Sequence, residues 1–267
     1  MSALVESLGE SWVWLAASLL AGAVWANVAW FLHRPRSRPV GHLVSSLQAW
    51  PYSGWLLQGL RLLFYVGVPF AALVLGHDAV TSRFLGLQPL ATPTSGQTDA
   101  DAVVANWRDW TRDIGWAVAL GIALGLFLAI AWWRHRRALR EIGAVPHCTA
   151  AAASAWLVFR EAAYHEVHWA FYRNAPIMAL GPYWGTWIGL TFVGLEASLN
   201  PAWRRALGDA QHSAYTLMRV SLALASSLLF LQTENLWLAM VVHFGVSLGL
   251  TALARSSSTV AQTIAGP

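Results

Sequence analysis

Long apolar segments that recur along the chain constrain its fold more than any other feature of the sequence. Crossing about 30 Å of bilayer hydrocarbon takes about twenty residues at helical rise. Segments near that length recur from residue 12 to residue 254, and no polar region between them is large enough to fold separately. We therefore predict an all-α, polytopic transmembrane helix bundle with about seven spans. The predicted spans are 12–32, 60–76, 114–133, 149–172, 183–199, 215–231 and 236–253.

Composition agrees with a membrane protein and excludes several other classes. Only 11% of the residues are charged, whereas a soluble domain usually carries about 25%. The basic residues are spread over short loops and form no basic face, so we expect the lipid bilayer as a partner and no nucleic acid. A single cysteine, Cys148, excludes an internal disulfide and a multi-cysteine metal site.

The placement of arginines predicts the orientation of the bundle. Arginines cluster in the connections that follow the first, third, fifth and seventh spans, whereas the other connections are acidic or mixed. The positive-inside rule then puts the N-terminus outside and the C-terminus in the cytoplasm of a multi-pass inner (plasma) membrane protein. Because Glu6 and Glu10 precede the first apolar run and no basic segment does, we predict a retained first span rather than a signal peptide.

The distribution of polar residues suggests two parts of the chain. Residues 1–148 form three anchoring spans with an external loop at 77–113, in which Pro89 and Pro93 mark a flexible centre. Aromatic and charged residues at 107–112 indicate an interfacial helix at the end of that loop. Residues 149–267 form four spans that contain nearly all of the ionisable groups predicted to lie within the membrane.

Ionisable residues inside a span are costly in lipid and usually face the protein interior, where they mark function. On the fourth span, Glu161, His165, His168 and Tyr172 are offset by four, three and four residues, which places them on one helix face. Such a stripe can ligate a metal through His165 and His168, hold a polarised water, or form a hydrogen-bond network that fixes helix packing. The fifth span adds Glu196 and the seventh adds His243.

Three short motifs in the second half resemble those of a known family. A polar turn and Asn-Leu-Trp at 235–237 lead into a helix with His243 and, four residues on, Ser247 in place of an asparagine. Phe192 is followed four residues on by Glu196, where the family has a histidine. Residues 168–173 align with its paired glutamates and arginine, of which Arg173 is kept. Residues 150–253 thus resemble the CAAX prenyl protease and bacteriocin-processing (CPBP, Abi) family of intramembrane endopeptidases.

The resemblance implies roles for particular residues. In that family a glutamate activates water while histidines and an asparagine stabilise the oxyanion, so Glu161, Glu166 or Glu196 would act here as a displaced base, with His243 and Arg173 as donors. Since most reacting groups are replaced, we expect a non-catalytic relative that serves as a scaffold or subunit of a membrane complex. The alternative is a divergent intramembrane endopeptidase with a buried Glu/His site and a peptide substrate. Any cofactor is left open.

Helical rise also predicts how deep these groups lie. At about 1.5 Å per residue, His165, His168 and His243 come nearer the outer leaflet, whereas Glu161 and Glu196 lie deeper. The five residues are therefore expected to form two clusters rather than one.

Overall fold

The computed structural model describes residues 2–32, 38–76, 79–88, 100–142, 154–209 and 212–264. It is all-helical, with 92% helix and no strands among the described residues. The helices are α1 (Ser2–Leu32), α2 (Arg38–Ala49), α3 (Ser53–Leu62), a π-helical turn (Leu63–Gly67), α4 (Val68–Leu75), α5 (Ser82–Leu85), α6 (Ala100–Glu141), α7 (Ala155–Leu199), α8 (Pro201–Gly208), α9 (Ser213–Thr233) and α10 (Leu236–Ile264). The prediction of an all-α protein is confirmed.

Five helical segments are long and apolar enough to cross a membrane. They expose large apolar side chains such as Leu20, Phe70 and Ile122, which suit lipid and would be unfavourable in water. The chain is therefore a membrane protein. These five segments are Leu8–Leu32, Ser53–Leu75, Trp107–Glu141, Ser213–Thr233 and Leu236–Leu253.

The chain divides into two compact units. Unit 1 contains Met1–Thr81 and Val167–Gly208, and unit 2 contains Ser82–Glu166 and Asp209–Pro267. Helix α7 contributes its first residues to unit 2 and the rest to unit 1.

In unit 1, α7 folds back on itself at Gly181. This residue has φ 79° and ψ 171°, a conformation that is essentially restricted to glycine, and Pro182 follows it. A Cβ on Gly185 would lie 2.4 Å from Ile177 Cα, and one on Gly189 would lie 2.8 Å from Arg173 Cα. Backbones eight and sixteen residues apart are this close only when the two arms of α7 on either side of Gly181 run antiparallel within this unit.

The first helix of unit 1 packs along this hairpin. Asn27 Nδ2 donates a hydrogen bond to Leu199 O at 3.2 Å, and the rings of Trp12 and Phe192 lie 6.0 Å apart. Near the other end, Asn174 Nδ2 donates to Ser11 Oγ at 3.2 Å and to Ala79 O at 2.7 Å. Polar groups near both ends of the packed region therefore fix the register of α1.

Unit 2 is built on α6, α9 and α10, which share a core of Ala117, Leu229 and Ala239. The segment after α5 is bound to the turn between α9 and α10: Leu236 N donates to Gly86 O at 2.8 Å, and Gln88 Nε2 donates to Thr233 O at 2.7 Å.

The predicted interfacial helix at 107–112 is not separate in the structure. It forms part of α6, which runs unbroken from Ala100 to Glu141, because no proline interrupts the helical pattern there. The predicted flexible centre at Pro89 and Pro93 lies outside the described residues.

Candidate functional site

A buried histidine and a glutamate meet in unit 1. His168 comes from the first arm of α7 and Glu196 from the second, and His168 Nε2 donates to Glu196 Oε2 at 2.8 Å. Only 2% of the His168 side chain is exposed, whereas 20% of the Glu196 side chain is exposed. The fold at Gly181 creates this pair, since the two residues are 28 positions apart in sequence.

Aromatic rings enclose the His168 imidazole. The centroids of Phe64, Tyr65 and Tyr172 lie 4.9, 5.1 and 4.4 Å from it. Phe64 and Tyr65 belong to the π-helical turn, and such turns are frequent at functional sites. We call these five residues the His168 centre: His168, Glu196, Phe64, Tyr65 and Tyr172.

The second ring nitrogen of His168 decides what the centre can do chemically. Nδ1 is buried and has no hydrogen-bond partner among the described residues. With Nε2–H donating to a carboxylate, the neutral imidazole carries a lone pair on Nδ1. This is the arrangement of a general base whose tautomer and orientation are held by a carboxylate.

A second polar centre lies in unit 2, and we call it the Glu166 centre. Ser226 Oγ donates to Glu166 Oε2 at 2.5 Å, and His243 Nδ1 donates to Glu166 Oε1 at 2.9 Å. The three buried side chains come from α7, α9 and α10. Both carboxylate oxygens are occupied, so this centre ties three helices together.

The other predicted residues of unit 2 lie towards the N-terminal end of α7. Glu161 Oε1 accepts a hydrogen bond from Arg160 Nη2 at 3.1 Å. His165 Nδ1 donates to the backbone oxygen of Glu161 at 2.6 Å, and the His165 ring lies 5.9 Å from that of His243.

The predicted catalytic and metal residues divide between the units. Glu161, His165 and His243 belong to unit 2, while His168, Arg173 and Glu196 belong to unit 1. Arg173 is buried, and it packs against Gly189 on the second arm of α7. Among the described residues no group of three His, Cys, Asp or Glu side chains is placed to hold a metal, so a metal at His165 or His168 stays a prediction.

Sequence reasoning did not identify Ser226, Phe64 or Tyr65 as site residues. A serine inside an apolar span is a common residue, and its contact with a carboxylate 60 positions away leaves no local signal. The adjacent pair Phe64 and Tyr65 would diverge by about 100° on an α-helix, so a regular period does not bring both to one imidazole.

Comparison with known proteins does not assign the chain to a family. No family model, curated protein or solved structure matches it.

Proposed function

We propose that the chain is a multi-pass membrane hydrolase that cleaves peptide bonds, with His168 as the general base and Glu196 as the carboxylate that orients it. The observation that carries the proposal is the His168 Nε2 hydrogen bond to Glu196, together with an Nδ1 that has no partner in the part of the chain that the structure describes. Ionisable groups within membrane helices usually face the protein interior and mark function.

The resemblance to the CAAX protease family supports this proposal from the sequence. Where that family carries a glutamate and a histidine, this chain carries His168 and Glu196. A carboxylate and an imidazole are therefore both kept, but in exchanged positions. In the structure His168 and Glu196 form a hydrogen bond with each other, so the exchanged imidazole and carboxylate still form a pair.

The proposed reaction uses water as the nucleophile. Water attacks the carbonyl carbon of the scissile amide while His168 Nδ1 takes its proton. The C–N bond of the tetrahedral intermediate then breaks, and the leaving nitrogen takes that proton from the imidazolium. Arg173 is the candidate donor to the oxyanion, and the exposed part of Glu196 is the expected side of water entry.

The test is cleavage of a peptide library by the purified protein in detergent. A general base contributes about 10²–10⁴-fold to the rate, so His168→Gln is expected to reduce kcat by that factor, and Glu196→Gln is expected to reduce it too. The matched control is His212→Gln, since His212 forms an exposed pair with Asp209 at 2.7 Å. A wild-type protein that cleaves nothing, or full activity in His168→Gln, would refute the proposal.

A second candidate function is that of a subunit or scaffold in a membrane complex, and a groove on unit 2 favours it. The groove has a volume of about 580 Å³ and is lined by apolar residues of α6 and α10. Gly125, Gly245 and Gly249 line it and would each accommodate a Cβ in open space, so packing within the described chain does not require them. Small residues spaced by four let a transmembrane helix approach closely.

This second function is tested by purification in mild detergent. A stoichiometric membrane partner should be lost in Gly249→Leu and kept in Gly115→Leu, whose exposed position lies outside the groove. A wild-type protein that purifies alone, or a partner that both variants retain, would count against it.

We propose a topology of seven spans for either function, with the N-terminus outside and the C-terminus in the cytoplasm of the inner membrane. The two arms of α7 supply the fourth and fifth spans. The first carries Glu166, His168 and Arg173, each of which is buried, and burial within protein is how a helix with ionisable residues can lie in lipid. Within unit 1, Thr81 N donates to Asn174 Oδ1, and within unit 2, Leu236 N donates to Gly86 O. In each case the two residues lie in, or next to, connections that are predicted on the outer side of the membrane, which agrees with the proposed topology.

A further inference from the structure

The interior face of α1 consists largely of small residues. Ser11, Ser18 and Gly22 are buried and spaced seven and four residues apart, so they lie on one side of the helix. Ser11 accepts a hydrogen bond from Asn174 on the first arm of α7. The span that the sequence presents as an anchor therefore borders the hairpin that carries the His168 centre.

Gly22 is in direct contact with that centre. A Cβ built on it would lie 2.9 Å from Glu196 Oε1 and 3.0 Å from Phe64 Cζ. Glu196 is the hydrogen-bond partner of His168, and Phe64 is one of the rings around the imidazole. Gly22 is helical with no positive φ, so its missing side chain matters through space rather than through backbone freedom.

The atoms that Gly22 faces distinguish it from the packing glycines of the same unit. A Cβ on Gly185 would meet the backbone of Ile177, and one on Gly189 would meet Cγ and the backbone of Arg173. Those two glycines let helix backbones approach. At Gly22 the nearest atoms are instead the ends of two side chains, both of which belong to the His168 centre.

We infer that Gly22 is a positioning residue for the general base, because its lack of a side chain provides the space in which the Glu196 carboxylate reaches His168. The inference rests on the proposed hydrolase function for its effect on the reaction. The effect on the His168–Glu196 hydrogen bond does not depend on that function.

The first experiment measures this hydrogen bond directly, through the ¹⁵N NMR signals of the histidines in detergent, with His168 assigned by its loss in His168→Gln. Gly22→Ala is expected to change the His168 signals, and misplacing a reacting group by about 1 Å can lower kcat by about 100-fold. KM should change little. The control is Gly194→Ala, two residues from Glu196, where a Cβ meets nothing within 4 Å.

A double-mutant cycle with Glu196→Asp covers the case in which Gly22→Ala does not fold. Aspartate withdraws the carboxylate from the space beside Gly22, so adding Gly22→Ala in that background should cause no further loss of stability and no further change in the His168 signals. Additive effects, a double variant that also fails to fold, or unchanged His168 signals in Gly22→Ala would overturn the inference. Wild-type protein with the His168 signature but without peptidase activity would instead refute the proposed function alone.

Discussion

The two histidine–carboxylate pairs differ in how their carboxylate oxygens and ring nitrogens are hydrogen-bonded. In the Glu166 centre both carboxylate oxygens accept hydrogen bonds, one from Ser226 and one from His243. In the His168 centre the carboxylate occupies one ring nitrogen and leaves the other without a described partner. The first arrangement is that of a helix clamp, and the second is that of a base.

The clamp can be tested at Ser226. Ser226→Ala leaves a buried carboxylate oxygen without its hydroxyl donor, which should lower the free energy of unfolding by about 1–3 kcal/mol. Ser227→Ala is the matched control, because that equally buried hydroxyl donates to Ala223 O of its own helix, a bond that contributes little. Reversible unfolding in detergent measures both, and equal losses would argue against a clamp at Ser226.

The structure pairs His168 and Glu196, which the sequence assigned to different roles. Both were predicted to face the protein interior, because ionisable residues inside apolar segments are easily recognised in the sequence. His168 was assigned as a metal ligand and Glu196 as a base. Their contact depends on the angle at which two arms pack, and no local pattern encodes that angle. The rings of Phe64 and Tyr65 were missed because they belong to a π-helical turn, which a regular helical period does not predict.

At the scale of the helices, the turn in α7 depends on the backbone conformation of one residue. Gly181 has φ 79° and ψ 171°, so Gly181→Ala forces an alanine into a region that costs about 1–3 kcal/mol. Gly194→Ala, on the second arm and in open space, should be neutral or raise stability by up to about 1 kcal/mol. Thermal unfolding in detergent compares the two, and an equally stable Gly181→Ala would contradict the role given to this turn.

The helices that were predicted best from the sequence are those whose apolar residues follow one another along the chain. Residues 12–32 and 236–253 are predominantly apolar, and their helices α1 and α10 contain the predicted ranges. The start of α6 was predicted less well, since the aromatic and charged residues at 107–112 suit an interfacial helix as well as the extension of a span. The π-helical turn has no signal in a 3.6-residue period.

At the scale of the whole molecule, α7 carries residues of both polar centres. Its first arm carries Glu166 to unit 2 and His168 to unit 1, only two residues apart. Both centres therefore include a residue of the same helix. We expect Ser226→Ala, which loosens the Glu166 centre, to change the ¹⁵N signals of His168 as well, whereas Ser227→Ala should not. Unchanged His168 signals in Ser226→Ala would show that the two centres are independent.

The orientation of the whole molecule can be tested with its single cysteine. Cys148 lies in the connection between the third and fourth predicted spans, beside the arginines at 134, 136, 137 and 140, and the positive-inside rule places it in the cytoplasm. A membrane-impermeant maleimide should therefore label it in lysed cells and not in intact spheroplasts. For comparison, Ser95→Cys in a Cys148→Ser background should be labelled in intact spheroplasts, because residue 95 lies in the connection predicted outside. Labelling of Cys148 in intact spheroplasts would contradict the proposed orientation.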